Sequence, residues 1–343
     1  MKKISLIILL VGFLMTACSS SDPGQVVNVY NWGEYIDTDL LDQFEAETGI
    51  RVVYSNFNTN EDLYVKLKNG GSNYDVLMPS DYMIERLIQE DMLRKIDWRN
   101  VPNLSYVDEV YQHHTYDPNQ EYSAPYFWGT LGIVYNTTLV EEEVTSWDIL
   151  WDEKYERNII MLDSSRDSIG VALAKLGYSL NSRNPQELDE AKELLIQQYP
   201  LVYAYLVDQT KDIMINEEAA LAVMYSGDAV DALSNNEDLA YAIPQEGSNL
   251  WFDAMVIPAT ARNPENAEKF INFMLDPEHA AQNAEYVWYS LPSSAARELL
   301  SDELRDNDVA YPPVETLEDL EVFRDPGSFV KVYDELWQEV KNQ

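Results

Sequence analysis

The first part of the chain alternates between short apolar segments and amphipathic segments, and this alternation limits the possible folds more than any other feature. Val26 to Asn31 predicts a strand, which an amphipathic helix follows from about Asp37 to Thr48. Ile50 to Ser55 and Tyr74 to Met78 predict two further strands, separated by a helix that Asn60 would cap. Strands that alternate with helices form doubly wound parallel sheets, whose ligands lie beyond the carboxyl ends of the strands.

A later apolar segment, Ala124 to Tyr135, is long enough to connect two lobes, and we interpret it as a hinge strand. Leu250 to Pro258 is predicted to return the chain to the first lobe. The chain after residue 17 is also longer than one hydrophobic core usually serves. We therefore expect an α/β protein of two lobes, each a mostly parallel sheet flanked by helices, joined by hinge strands around a ligand cleft.

The second lobe is predicted from helical patterns near Trp147 to Asp152 and from Asp167 to Gly177, and from a strand around Ala220 to Tyr225. Because the chain crosses between the lobes twice, each lobe takes two stretches of sequence. The predicted division assigns residues 26–130 plus 255–310 to lobe 1 and residues 131–254 plus 311–343 to lobe 2.

The N-terminal residues are predicted to target and anchor the protein. Two lysines precede an apolar run, Ile4 to Met15, which is typical of a secretory signal and too short to cross a membrane as a helix. Cys18 is the single cysteine of the chain and directly follows Met15-Thr16-Ala17. This arrangement resembles the lipobox of bacterial lipoproteins, which implies a lipid anchor facing the periplasm or the cell exterior. The expected segments are a signal peptide, residues 1–17, and a lipid-anchored tether, residues 18–25.

The composition is strongly acidic, with a formal net charge of −37 at pH 7. Such a surface repels nucleic acid and raises the local concentration of small cations, so we expect no nucleic-acid partner. Acidity also keeps secreted proteins soluble, so the charge alone leaves both interpretations open.

Two segments, Asn31 to Tyr35 and Leu250 to Asp253, each place a tryptophan beside a carboxylate where a strand is predicted to end. A ring face attracts an alkylammonium group by about 0.5–2 kcal/mol. A carboxylate accepts the N–H groups of the same cation in charge-assisted hydrogen bonds. The pairing favours a site for an organic cation, although each tryptophan taken alone is equally compatible with a core residue beside a surface acid.

Other chemistries have less support in the sequence. His113 and His114 are adjacent and lack the helical spacing of a zinc pair, so we expect no metal site. No nucleophile turn or phosphate-binding loop is found, and a lipidated Cys18 leaves no thiol, so we expect neither enzymatic activity nor a cofactor. Three alternatives remain open: a binding protein for a sugar or ferric ion, a carbohydrate-active enzyme with paired carboxylates, and a surface sensor with the same fold.

Five short motifs follow one another between Val26 and Lys341. They are Tyr30 to Tyr35, Pro79 to Tyr82, Pro125 to Gly129, Lys175 to Tyr178 and Leu250 to Pro258. Together they resemble the spermidine/putrescine-binding proteins of ABC uptake systems. The resemblance implies a two-lobed periplasmic-binding-protein fold that closes over one polyamine and delivers it to a membrane permease. We expect a monomer whose partners are the polyamine, the permease subunits and, through the lipid anchor, the membrane.

The resemblance also implies binding roles for residues of the first two motifs. Trp32 and Tyr35 would line the cleft, with Glu34 between them as a partner for an ammonium group. Ser80 and Tyr82 match further cleft residues of the family.

The later motifs supply the remaining matches to the family. Trp251 would pack along the methylene chain while Asp253 accepts an ammonium nitrogen. Asp167 falls where the family has an acid that meets the inner part of the ligand, and Tyr289 matches a tyrosine at the pocket edge.

The sequence departs from the family at positions that affect ligand choice. Ser164 stands where spermidine-binding members can carry a second aspartate, so the amine at that end would depend on Asp163 or Asp228. Tyr225 replaces a tryptophan and keeps a ring, and Val322 to Gly327 contains no match for a polar residue of the family. The polyamine class is expected, and the choice between spermidine and putrescine stays open.

Overall fold

The protein is built from two halves of one curled sheet, flanked by helices. A computed structural model describes residues 25–70 and 73–343. The strands in these residues are β1 (Val26–Trp32), β2 (Arg51–Phe57), β3 (Val76–Leu77), β4 (Leu93–Arg94), β5 (Ser123–Asn136), β6 (Ile159–Leu162), β7 (Val202–Leu206), β8 (Leu221–Tyr225), β9 (Leu239–Ala242) and β10 (Leu250–Pro258).

The helices flank the sheet, and along the chain they alternate with its strands. The α-helices in the described residues are α1 (Asp39–Thr48), α2 (Asn60–Lys68), α3 (Asp81–Gln89), α4 (Ser165–Lys175), α5 (Pro185–Gln198), α6 (Gln209–Ile215), α7 (Ser226–Asn235), α8 (Pro264–Met274), α9 (Pro277–Val287), α10 (Ser294–Arg297), α11 (Asp302–Arg305), α12 (Val314–Leu317) and α13 (Val330–Lys341). Short 3-10 helices cover Trp98–Asn100, Pro102–Tyr106, Glu109–Tyr111, Trp147–Trp151, Glu153–Tyr155, Tyr199–Leu201 and Gly327–Phe329.

The first lobe contains three parallel strands. β1 lies between β2 and β3, with Val26 opposite Arg51 and Val29 opposite Val76. Helix α1 buries Leu40 and Phe44, which gives this lobe the apolar helix face that its sequence pattern predicted. β10 pairs antiparallel with β3 and with the first part of β5, and β4 extends the sheet at the far end of β10.

The second lobe centres on β6, which runs parallel to β7 on one side and to β8 on the other. β8 and β9 pair antiparallel with the second part of β5. Helices α4, α5 and α13 pack together over this lobe, so the C-terminal helix belongs to it. Helix α6 packs against α7.

Strand β5 passes through both lobes. Ser123 to Thr130 pairs with β10, and Leu131 to Tyr135 pairs with β8. The position predicted for the hinge strand therefore matches the pairing, and the two-lobed α/β fold is confirmed. β10 pairs with β5 from Leu250 onward. The exact residues at which the chain passes from one lobe to the other stay a prediction.

Some local details differ from the sequence predictions. Thr59, not Asn60, caps α2, because the Thr59 hydroxyl accepts the amide hydrogen of Asp62 over 3.1 Å. The helix predicted near Trp147 to Asp152 is a 3-10 helix over Trp147–Trp151. Short strands such as β6 and β9 leave too few residues for a clear alternation, and the sequence analysis did not find them.

The predicted N-terminal anchor lies outside the described residues. This applies to the signal peptide, to Cys18 and to all of the tether before residue 25. In residues 25–70 and 73–343, no helix has the length and apolar character needed to cross a membrane.

Candidate functional site

One edge of the first lobe's sheet brings three strand ends together. β1 ends at Trp32, and Ser80 follows β3. The prediction that the second tryptophan motif ends a strand is wrong, because Trp251 lies at the start of β10. β10 runs antiparallel to β3, so its first residues reach the same edge, and a bridge joins Asp253 to Ser80.

Asp81 fixes this edge through backbone hydrogen bonds. Its Oδ1 accepts the amide hydrogen of Tyr82 over 2.6 Å, and its Oδ2 accepts that of Phe252 over 3.1 Å. The two bonds join the start of α3 to β10. They hold Ser80 beside Asp253 without using either side chain.

Four predicted aromatic residues form a continuous edge-to-face series across both lobes. The ring centroid of Tyr35 lies 5.3 Å from that of Tyr289, which lies 5.4 Å from that of Trp251. Tyr225, at the end of β8, lies 6.0 Å from Trp251. Edge-to-face pairs at such distances are favourable, so the rings form one wall that we call the aromatic wall.

Two glycines make room for the aromatic wall. A Cβ atom at Gly227 would overlap the ring of Tyr289, and one at Gly129 would lie 2.6 Å from the ring of Trp251. Contacts this short force a ring to move, so these positions accept no larger side chain without changing the wall.

Four buried polar atoms along this edge have no hydrogen-bond partner among the described residues. They are Trp32 Nε1, Tyr35 Oη, Trp251 Nε1 and Asp253 Oδ1. Buried polar groups are nearly always paired, and leaving one unpaired costs about 1–3 kcal/mol. A carboxylate acceptor, a hydroxyl and two indole donors are therefore buried without a partner near the edge where the lobes meet.

Asp253 is the most buried of the predicted acids, with 5% of its surface exposed. Burial raises its pKa to about 7, and the nearby Ser80 and Tyr35 side chains oppose that rise. The Tyr35 hydroxyl approaches the carboxylate without hydrogen-bonding geometry, and burial together with the Asp253 charge raises the pKa of Tyr35. A cation beside Asp253 would favour its ionised form.

Asp167 forms a second acidic position at the start of α4. Ser164 Oγ donates to its Oδ2 over 2.5 Å, and Tyr225 Oη donates to the same oxygen over 2.9 Å. Burial raises the Asp167 pKa, and these two hydrogen bonds oppose the rise. Ser164 therefore orients an acid instead of supplying one, while Asp163 forms an ion pair with Lys341 over 2.5 Å.

A third acidic position lies where helices α6 and α7 meet the loop after β1. Burial raises the pKa of Asp228 to about 6, against the effects of the Lys211 ammonium and the Tyr289 hydroxyl. Lys211 Nζ forms an ion pair with Asp231 Oδ2 over 2.6 Å. Burial disfavours the Lys211 charge, but Asp231, Asp228 and Glu34 outweigh burial and raise the Lys211 pKa.

Asp208 brings the second lobe against the same loop. A Cβ atom at Gly33 would lie 3.7 Å from Asp208 Oδ2, so the Asp208 carboxylate lies against the Gly33 backbone. Burial and the charge of Glu34 raise the Asp208 pKa. Glu34 itself is exposed and adopts a positive φ of 46°, which turns the chain sharply after Trp32.

Tyr82 contacts the second lobe at a separate point, where it lies near Arg166 and Phe323. Its hydroxyl donates to Glu61 Oε1 over 3.1 Å. The Arg166 guanidinium carbon lies 5.5 Å from the Tyr82 ring centroid and 4.5 Å from that of Phe323. Phe323 belongs to the segment Val322 to Gly327, which contains no match for a polar residue of the family. An apolar ring therefore lies beside Arg166 at this point.

Most of the predicted binding residues belong to one contact network. Its members are Tyr35, Ser80, Ser164, Asp167, Tyr225, Asp228, Trp251, Asp253 and Tyr289. Trp32, at the end of β1 just before Glu34, packs on Phe57 with 4.4 Å between the ring centroids. Tyr82 lies beside Arg166.

Several residues of the site belong to no motif in the sequence. Arg166, Asp208, Lys211 and Phe323 face first-lobe residues where the lobes meet, and Glu61 contacts Tyr82 within the first lobe. Helix α6 is not predicted from the sequence pattern, and a charge pattern within one lobe does not indicate which residues the other lobe will face. In the part of the chain that the structure describes, no group of three or more His, Cys, Asp or Glu side chains is arranged to hold a metal ion.

Comparisons with known proteins give a consistent result. A family profile described as bacterial extracellular solute-binding protein matches residues 39–312. The spermidine/putrescine-binding periplasmic protein of Escherichia coli (strain K12) is 37% identical over 345 aligned positions, covering 99% of each chain. The putrescine-binding periplasmic protein SpuD of Pseudomonas aeruginosa is 33% identical and covers 93% of this chain and 92% of its own.

Solved structures agree with this relationship. The substrate-binding protein of a spermidine/putrescine ABC transporter from Streptococcus pneumoniae is 45% identical, with a TM-score of 0.80, over 92% of this chain and 98% of that one. A protein assigned to a spermidine/putrescine ABC transporter of Listeria monocytogenes is 43% identical, with a TM-score of 0.90, over 92% of this chain and 99% of that one. These comparisons confirm the resemblance found in the sequence motifs, and the chain belongs to the bacterial extracellular solute-binding protein family.

Proposed function

We propose that the protein is a polyamine receptor that holds spermidine or putrescine between its lobes and delivers it to an ABC permease. One observation carries the proposal: the buried Asp253 carboxylate has an unpaired Oδ1 beside the aromatic wall. A polyamine supplies ammonium N–H groups for that oxygen and methylene groups for the rings. The relatives named above are described as binding spermidine, putrescine or both.

The central contacts of the proposed complex use two acids. One ammonium group donates to Asp253, with the Tyr35 hydroxyl beside it, and Trp251 packs along the methylene chain. A second ammonium group donates to Asp167, which Tyr225 already orients through its hydroxyl. Two or three charge-assisted bonds of about 1.5–3 kcal/mol each, together with ring contacts of about 0.5–2 kcal/mol each, offset the ordering cost of the ligand and contribute to the roughly 8 kcal/mol of a micromolar complex.

The remaining predicted residues complete the enclosure of the ligand. They are the rings and hydroxyls of Trp32, Ser80, Tyr82 and Tyr289, the Ser164 hydroxyl, and the carboxylates of Glu34 and Asp228. Closure by bending along β5 would bring the second-lobe acids against the first-lobe rings and exclude water.

A neutral sugar is a poorer match for this cleft. The pKa values of Asp167, Asp228 and Asp253 are all raised by burial, so each carboxylate needs a positive neighbour to ionise readily. A sugar offers hydroxyl donors but no charge. A carbohydrate-active enzyme has less support still, because the matching family is described as solute-binding proteins.

The proposal includes a location. Removal of residues 1–17 and lipidation of Cys18 would tether a monomeric receptor to the membrane through residues 18–25, on the periplasmic or exterior side. The relatives are named as periplasmic binding proteins, which supports an extracytoplasmic position. Mass spectrometry of the membrane-extracted protein tests the anchor, since a diacylglycerol on Cys18 gives a defined mass increase.

Isothermal titration calorimetry of the purified protein tests the ligand class. The titrants are putrescine, spermidine, spermine and glucose at moderate salt. We expect saturable one-to-one binding of at least one amine and none of glucose. Heat from glucose with no response to any amine would overturn the proposal.

A further inference from the structure

Lys211 is a built-in cation at one end of the proposed cleft. Its ammonium forms an ion pair with Asp231 over 2.6 Å, and its side chain is 24% exposed. Asp228 from the same lobe and Glu34 from the other also lie close enough for their charges to act on it. One lysine therefore already neutralises part of the charge of a cluster of carboxylates, and both lobes contribute to that cluster.

The two central acids differ from this cluster. Asp253 Oδ1 has no hydrogen-bond partner among the described residues, and Asp167 accepts hydrogen bonds from the neutral hydroxyls of Ser164 and Tyr225. These two carboxylates therefore depend most on charge that a ligand brings.

Arg166 is another cation near the proposed cleft, and it faces rings. Its guanidinium carbon lies 5.5, 4.5 and 4.7 Å from the ring centroids of Tyr82, Phe323 and Tyr333. Asp167 feels its charge, but burial outweighs that effect and the Asp167 pKa stays raised. Arg166 thus lies beside Tyr82, while Lys211 lies among acids that include Glu34.

We propose, resting on the polyamine function above, that Lys211 determines the length of amine that the cleft accepts. Its ammonium stands among the carboxylates that a third ammonium group would need, and two like charges repel at such a site. In the assignment above, a diamine meets only Asp253 and Asp167, whose pKa values show no effect of the Lys211 charge. A triamine must bring its additional charge toward Lys211 or leave that charge in solvent.

Calorimetric titration of putrescine and spermidine into two lysine variants tests this inference. Lys211→Met keeps the length of the side chain and removes its charge. Lys192→Met is the matched control, since Lys192 is also partly buried, with 12% of its side chain exposed, and pairs with Asp189 on α5. We expect the parent protein to bind putrescine at least as tightly as spermidine. In Lys211→Met the preference should move toward spermidine at least tenfold, and in Lys192→Met by less than twofold.

Three results overturn the inference. The first is a folded Lys211→Met, checked by circular dichroism, whose preference equals that of the parent. The second, which needs no variant, is a parent that prefers spermidine more than tenfold. The third is a parent that binds neither amine, which overturns the proposed function as well and so is distinct from the first two. If Lys211→Met does not fold, Lys211→Gln replaces it. The parent's preference between putrescine and spermidine tests the inference in either case.

Discussion

Glu85 and Arg324 join the two lobes outside the ligand cleft. Arg324 Nη2 donates to Glu85 Oε1 over 2.5 Å, and Arg324 Nε donates to Oε2 over 3.0 Å. Glu85 lies on α3, directly after the cleft residues Ser80 and Tyr82. Arg324 is held to the second lobe, because its amide donates to Asn181 Oδ1 over 2.8 Å. The meeting of the lobes therefore includes a paired charge interaction between two residues that are not among the predicted binding residues.

Glu85→Gln should weaken polyamine affinity by about threefold to tenfold. Arg324 is 43% exposed, so the ion pair contributes only about 1 kcal/mol, and its loss should appear mainly as faster ligand release. Glu90→Gln is the control, since Glu90 pairs with Lys68 and Arg86 within the first lobe. Stopped-flow measurement of release rates compares the two, and equal rates for both variants would contradict a role in closure.

Asp253→Asn should weaken binding by more than about 1.5 kcal/mol, or tenfold and above. The amide keeps the shape of the side chain, but a charge-assisted hydrogen bond becomes a neutral one. The thermal midpoint of the unliganded protein should not fall, because the change removes a buried carboxylate. Calorimetry gives the affinity, and an unchanged value would remove Asp253 from the site.

Asp228 and Asp163 should respond differently to loss of charge. Asp228 borders the aromatic wall through Tyr289, whereas Asp163 is paired with Lys341. We expect Asp228→Asn to weaken polyamine binding several-fold and Asp163→Asn to leave it within twofold. Titration of both variants under one set of conditions decides which acid compensates for Ser164.

The sequence predicts those parts of this fold that depend on local periodicity. Val26 to Asn31 and the helix ending near Thr48 occur almost where the pattern placed them, as β1 and α1. The direction of a strand is not a local property. Trp251 and Asp253 were therefore found as a motif but assigned to the wrong end of a strand, and only antiparallel pairing with β3 explains how they reach the cleft.

The candidate site shows the same limit. Aromatic and acidic motifs such as Trp32 with Glu34 are recognisable because several residue types occur together in a short segment. Lys211 and Phe323 belong to segments with no such motif, and they enter the cleft because the lobes meet there. Contacts between distant segments depend on how the two lobes meet, and the periodicity of the sequence does not predict that.

Trp32→Ala should weaken polyamine binding while the protein stays folded. Trp32 is half-buried at the cleft edge, and its Nε1 is unpaired. Trp147→Ala provides the contrast, since Trp147 is fully buried and donates from Nε1 to the Gly247 carbonyl over 2.9 Å. That variant should lose about 3–5 kcal/mol of unfolding free energy. Circular dichroism melts separate the two, and a Trp32→Ala protein that unfolds would make Trp32 a core residue.

Polyamine affinity should rise with pH between about 5 and 7. Burial raises the pKa of Asp253 to about 7 and that of Asp228 to about 6, so both hold protons in the unliganded cleft below those values. A polyamine gains its ion pairs only by releasing these protons. For each coupled carboxylate the affinity therefore falls about tenfold per pH unit below its pKa.

The sign of the effect on stability is opposite in the unliganded protein. A raised pKa means that Asp253 stabilises the fold below its unfolded pKa of about 4, and that this contribution is lost as the pH rises through 7. Ligand-induced thermal shifts should therefore be larger at pH 7.5 than at pH 5. Calorimetry in buffers of different ionisation enthalpy counts the released protons, and Asp253→Asn should flatten the profile between pH 6 and 7. An affinity independent of pH in the parent would mean that these acids are already ionised, and that the polyamine does not meet them in the buried state described above.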